Sequence, residues 1–270
     1  HDKNALVVSW FQSAIEVTLL LCMASLFVLH TTWHPWFLLA GLCSYGGFLM
    51  IFFVLKVVDV SVLNAAWVFL SIFVALGGML LFDERWTVLQ AIGVGLAIAG
   101  VCLVSFWHQH VSFGHTVFLL AGLGGLYAPY FLIQKSALLN GEALSTVFFW
   151  PLLYQKGCAL VIPLLKPSSR SGIRQCWNTM HWSFVILCTA AVMCSLGGFA
   201  LLTRAYALGQ ASLVIMLENI QPFTAMFLAW IALQVVPRFA PRELLTSQSI
   251  AIKLVSFAIV FVGMALLAIG

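Results

Sequence analysis

Three ionisable side chains, Glu16, Lys156 and Glu218, fall well inside long apolar runs. A charge at the centre of a bilayer costs roughly 2.5 to 3.5 kcal/mol on insertion scales, so such residues need a reason to be there. A carboxylate on one wall and an ammonium on another suit a zwitterion, with Glu16 taking its ammonium group and Lys156 its carboxylate. The alternative is a direct ion pair, Glu16 or Glu218 with Lys156, that only stabilises the bundle. Either carboxylate is also a candidate to carry a proton. A fourth charge, Lys253, is close enough to a helix end to reach the interface.

Polar and aromatic residues three, four or seven apart share a helix face and extend these walls. Asn64, Trp67 and Ser71 form one stripe, and Tyr127, Tyr130 and Gln134 form another around Pro129. Glu218 and Gln221 form a third, next to Asn219 and Pro222. Structural hydrogen bonding between helices, worth under about 1 kcal/mol each in lipid, is the competing reading for Asn64, Gln134 and Gln221. Trp10, Trp67, Trp150 and Tyr154 are candidates for an aromatic pocket, with plain packing as the alternative. Trp33, Trp36, Trp107, Trp177 and Trp182 lie at helix ends, where the interfacial aromatic belt accounts for them. Covalent catalysis has no support, because no HExxH, GxSxG or P-loop pattern occurs. His108, His110 and His115 share one connection without an acidic partner, so no metal or other cofactor is expected.

The elements that hold these residues must be membrane helices. Of 270 residues, 63% are hydrophobic and 7% charged, too few charges for a soluble surface. About 20 apolar residues span a bilayer, and nine segments qualify: 5–30, 35–57, 61–82, 86–107, 115–134, 142–165, 183–205, 211–236 and 250–269. None alternates in polarity as barrel strands do. Connections are short except Lys166 to His181, with its Pro167-Ser168-Ser169 turn signal, and Pro237 to Thr246. The seven cysteines lie mostly in apolar runs without ligand spacing and read as small buried residues. The net charge of +4 is scattered, which argues against a nucleic-acid partner and offers no polybasic lipid-binding cluster.

The chain also repeats itself. Cys43-Ser44-Tyr45-Gly46-Gly47-Phe48 returns as Cys194-Ser195-Leu196-Gly197-Gly198-Phe199, and at the same separation Val60-Ser61 meets Ala211-Ser212. Trp10 aligns with Trp150, which sets Glu16 opposite Lys156, and Gly100 aligns with Gly263. The expected fold class is therefore all-α, a polytopic membrane bundle of about nine helices in two related, pseudo-twofold inverted repeats. Residues 1–107 would form the first and 115–270 the second. The first repeat has four helices against five, so a further helix is expected to precede it, a naturally reduced repeat being the alternative. The Gly pairs, with Gly93 and Ala97, Gly95 and Ala99, and Gly122 and Gly125, would allow close helix approach, and the duplicated pairs could also serve as hinges.

These features resemble the drug/metabolite transporter superfamily and its EamA-type branch, whose members are built from two five-helix repeats. The most specific stretch is Phe82-Asp83-Glu84-Arg85-Trp86-Thr87 with Gln90, Gly93 and Gly100, similar to the acidic turn and glycine-bearing helix that close each repeat. Pro222 stands where the family often has a proline, Ser71 stands at that place in the first half, and Gln234 or Val235 replaces the second acidic turn. The resemblance implies a secondary transporter of a small polar or zwitterionic metabolite, working by alternating access through a cavity between the repeats. Its partners would be the substrate, a proton or another coupling ion, and membrane lipid, in a bacterial inner membrane. Export of drugs or lipophilic cations, and a non-transporting accessory subunit, are the alternatives. Charge bias places the side bearing Lys166, Arg170 and Arg174 in the cytoplasm with the N-terminus; the resemblance implies the reverse for a chain lacking its first helix.

Overall fold

The computed structural model describes residues 5–26, 31–54, 65–106, 113–178, 181–218, 224, 231, 234 and 247–269. Among them all regular structure is helical and no strand occurs. The helices are α1 (Ala5–Leu26), α2 (Pro35–Val54), α3 (Ala65–Phe82), α4 (Val88–Phe106), α5 (Phe113–Leu139), α6 (Leu144–Leu165), α7 (Pro167–Asn178), α8 (Trp182–Leu208), α9 (Ala211–Leu217) and α10 (Ser247–Ile269).

Within α1, α2, α5, α6 and α8, five segments are long and apolar enough to cross a membrane, and 69–82, 88–100 and 254–266 are shorter apolar stretches. Large apolar side chains point outward, as at Leu187, Leu201 and Leu208, which are 70%, 71% and 81% exposed. Water would not tolerate so continuous an apolar surface, and lipid requires one. The chain is an all-α membrane helix bundle.

Helix ends follow local chemistry. Thr87 and Gln90 form a capping box at the start of α4: the Thr87 amide donates to Gln90 Oε1 at 2.9 Å and the Gln90 amide to Thr87 Oγ1 at 3.2 Å. The expected stop of the fifth span at Gln134 is corrected, since α5 runs on to Leu139 with Pro129 inside it. Gly141 ends that helix at φ +83°. Its amide bonds the Leu138 carbonyl and the Glu142 amide bonds the Ala137 carbonyl, both at 3.1 Å, a Schellman closure. The connection from Lys166 to His181 is also corrected, because most of it is helix α7. Pro167 reads as a turn signal but suits the first position of a helix, where its missing N–H costs nothing.

The chain forms two compact units, one comprising His1–Phe52 and Pro129–Gly209, the other Phe53–Ala128 and Gln210–Gly270. Each takes segments from both 1–107 and 115–270. In lipid, helices associate through packing and hydrogen bonds rather than through the hydrophobic effect, so close approach matters. In the first unit α1 packs on α6, α7 and α8 around Leu20, Phe149, Leu152, Val192 and Leu196. Gly41 of α2 lies so near α6 that a Cβ there would collide with the Cβ of Tyr154.

In the second unit α4 runs against α10, and α3 packs on α4 and α9. A Cβ on Gly100 would stand 2.6 Å from Val260 Cγ2 and 2.9 Å from the Ser256 carbonyl oxygen; one on Gly263 would stand 2.6 Å from the Gly93 carbonyl oxygen and 2.9 Å from the Ala97 amide. The two contacts mirror one another, each glycine meeting the residues seven and three positions before the other. Gly197 and Gly198 differ, since a Cβ on either would meet nothing within 4 Å; they do not mediate close packing.

Candidate functional site

The first unit holds the polar site. On α1, Ser9, Gln12, Ser13 and Glu16 follow the i, i+3, i+4, i+7 spacing that places them on one face. With Phe48 of α2, Lys156 of α6, and Ala191, Val192 and Ser195 of α8, they line a cavity of about 110 Å³, enough for several water molecules. Both copies of the repeated word reach it, the first through Phe48 and the second through Ser195.

Glu16 and Lys156 do not face each other across this space. Lys156 Nζ lies 2.9 Å from Glu16 Oε2, with the two side chains 18% and 3% exposed. Of the two geometries considered from sequence, the direct ion pair is the one formed, because the four-carbon lysine stem reaches across from α6. Glu16 Oε1 is buried without a hydrogen-bond partner on the protein. A buried carboxylate normally fills its acceptor sites, so this oxygen can still receive a cation or a proton.

Most other candidates lie elsewhere. Trp10 donates Nε1–H to the Leu160 carbonyl at 2.9 Å, a structural bond between α1 and α6. Trp150 stacks on Tyr154 with centroids 5.9 Å apart, and Tyr154 accepts a hydrogen bond from Trp33 Nε1 at 2.5 Å. Tyr130 is buried edge-on to Phe131, and Gln134 donates to the Val147 carbonyl. Trp67 and Tyr127 pack together in the second unit, centroids 5.6 Å apart. Trp10, Trp67, Trp150, Tyr127 and Tyr130 therefore do not line the cavity. Glu218 caps the C-terminal end of α9 in the second unit, partly buried. Asn64, Asn219, Gln221, Pro222, His108 and His110 lie outside the described residues. Cys22 and Cys194 are exposed rather than buried, unlike Cys188.

Two charges that the sequence did not single out as site residues act on helix ends, the first of them in the acidic turn. Glu84, only 8% exposed, accepts from the amides of Ala211 at 2.6 Å and Ser212 at 3.1 Å and from the Ser212 hydroxyl, which also accepts from Trp86 Nε1 at 3.0 Å. These are the orphan donors at the start of α9, where a negative charge is favoured. Gly78 makes room for that carboxylate, since a Cβ there would lie 2.5 Å from Glu84 Oε2. In the first unit Lys135 Nζ donates to the carbonyls of Tyr206 at 2.9 Å and Gly209 at 2.6 Å, at the C-terminal end of α8.

A polar cluster closes one end of the first unit. His34 Nε2 and Glu142 Oε1 are 2.7 Å apart, the Thr32 hydroxyl donates to Glu142 Oε2, and the Thr32 amide donates to Thr146 Oγ1 at 3.2 Å. The Thr32 hydroxyl is the main cause that holds the Glu142 carboxyl below its ordinary range; desolvation opposes it, and the hydrogen bond and charge of His34 add to the lowering. A depressed carboxyl adds stability that is complete above its ordinary pKa and lost as pH falls through its folded value. Melting temperatures of the parent and Glu142→Gln, compared between about pH 3 and pH 7, should thus differ most at neutral pH and converge toward the acid end. A gap that ignored pH would remove this assignment.

No protein-family model matches the chain, and no curated protein does. A solved crystal structure, described only as that of a protein, is similar with a TM-score of 0.69 and 16% identity, over 97% of this chain and 86% of that one. At that identity the likeness concerns the fold alone.

Proposed function

We propose that this chain is a secondary transporter of the drug/metabolite transporter type, and that it moves a small polar or zwitterionic metabolite by alternating access. The observation that carries the reading is the buried Glu16–Lys156 pair beside a cavity lined by Ser9, Gln12, Ser13 and Ser195, with one carboxylate oxygen unclaimed. An empty site in lipid must neutralise its own charges. A zwitterion entering the cavity would replace one ion pair with two, its ammonium on Glu16 and its carboxylate on Lys156. Charge is then balanced both loaded and empty, so the substrate can leave as well as bind. A proton or another coupling ion would drive the cycle in this reading. A bacterial inner membrane is the setting that the family resemblance implies.

The test is thermal stabilisation of the purified protein by amino acids, nucleosides, polyamines and lipophilic cations, followed by flux in proteoliposomes. A ligand at a hundred times its Kd should add about 2.7 kcal/mol. A zwitterion should stabilise the parent and be taken up, and should do neither with Glu16→Gln or Lys156→Met. A lipophilic cation whose binding survives Lys156→Met but not Glu16→Gln would point to cation export. Equal zwitterion binding by the parent and both variants would remove this site from the proposal.

A further inference from the structure

We propose that α7 is an interfacial helix whose basic residues Arg170 and Arg174, with Lys166 immediately before it, bind the anionic phospholipid headgroups of one leaflet. The helix has 12 residues, roughly 18 Å at 1.5 Å per residue, against a hydrocarbon core about 30 Å thick. It joins α6, a span ending at Leu165, to α8, a span beginning at Trp182. Too short and too polar to be a third crossing, it lies where α6 leaves the bilayer and α8 re-enters it.

Its two sides differ. Ser169 and Ile173 are buried, Ile173 in a cluster with Val7 and Phe11 of α1, and Gly172 sits against Val7 Cγ2. Lys166, Arg170 and Arg174 are exposed; Arg170 and Arg174, four apart, share one stripe of α7, and Lys166 stands immediately before its first residue with an extended backbone. Arg170 Nε donates to the Leu164 carbonyl at the end of α6, which anchors the guanidinium and leaves its terminal nitrogens free to fork onto a phosphate. Among the described residues neither Lys166 nor Arg174 has an acidic partner. Trp177 and Trp182, 62% and 82% exposed, follow the basic residues as interfacial aromatics do, and Trp177 is held by stacking on Phe11 with centroids 5.8 Å apart. Charges that look scattered along a loop are brought to one helix and its first turn, since Arg170 and Arg174 lie on α7 and Lys166 directly precedes it. Position between two spans, beside exposed tryptophans, commits the site to a lipid headgroup rather than a dissolved anion.

Near an anionic surface each Lys or Arg contributes roughly a fivefold preference. The full chain in a neutral detergent should be titrated with phosphatidylglycerol, phosphatidylcholine and inorganic phosphate, reading retained lipid by native mass spectrometry and melting temperature alongside. Phosphatidylglycerol should be retained and raise the melting temperature, and phosphatidylcholine should do neither. Replacing Lys166, Arg170 and Arg174 together with Gln should weaken phosphatidylglycerol at least tenfold. Lys166→Gln with Arg174→Gln, which leaves the Arg170–Leu164 bond intact, should weaken it severalfold without changing the melting temperature in lipid-free detergent; this pair decides the matter if the triple variant does not fold. Equal phosphatidylglycerol affinity in parent and variants overturns the proposal. So does inorganic phosphate that displaces the lipid and stabilises equally well, which would mark a site for a free anion.

Discussion

Lys156→Met is expected to cost roughly 3 to 5 kcal/mol of stability, because it leaves the nearly inaccessible Glu16 carboxylate without its ion-pair partner among the described residues. Glu16→Gln should cost less, since the stranded Lys156 is 18% exposed and its flexible stem can carry the ammonium toward a wetter place. The informative protein is the double variant, Glu16→Gln with Lys156→Met. Removing both charges replaces a buried pair with neutral groups of similar size, a change that is often neutral or stabilising. The double variant should therefore be more stable than Lys156→Met alone and close to the parent, while binding no zwitterion. Chemical unfolding of all four proteins measures the coupling directly. If the two losses merely add, the charges do not depend on each other and the pair is a coincidence of packing.

Glu84→Ala is expected to cost about 3 kcal/mol, since it strands two buried backbone amides and a hydroxyl that now share one carboxylate, each orphaned donor costing roughly 1 to 3 kcal/mol. Glu84→Gln, which keeps one acceptor oxygen, should lose less. Gly78→Ala should act through the same contact, its new methyl displacing the carboxylate. Its effect should largely vanish in a Glu84→Ala background, because neighbours that share an interaction are not additive. Equal stability of the Ala and Gln variants and the parent in thermal unfolding would show that the start of α9 is held by something else.

The spans were legible because hydropathy over about 20 residues has one physical cause, and α1, α2, α6 and α8 begin within a few residues of the expected positions. Helix α7 was hidden, since its signals are a proline, two serines and a short amphipathic pattern, the same ingredients as a loop. Glu16 and Lys156 stood out because charge in an apolar run is costly, and the repeat set them opposite each other. Ser9, Gln12 and Ser13 did not, because they carry no charge; the i, i+3, i+4, i+7 run ending at Glu16 was the signal that would have found all three, and Ser195 stood in the repeated word without a sign that it faced a cavity. For the aromatic candidates a pocket and plain packing read alike in the sequence. Trp10, Trp67 and Trp150 share helix faces with polar residues, yet spacing along one helix does not say which neighbour it meets, and here each meets a packing partner.

The reciprocal glycine contacts of α4 and α10 restrict how this part of the chain can move. Gly93 and Gly100 are seven residues apart, about 10 Å along the axis at 1.5 Å per residue, and backbone approaches α10 at both points, as it does at Ser256 and Gly263 in return. Two such contacts prevent rotation as well as sliding. A slip of a single turn, about 5.4 Å, would bring a side chain into the space that each glycine leaves open for the other helix. The two helices must therefore travel as one stiff rod, and any rearrangement within that unit must bend or swing the elements around it.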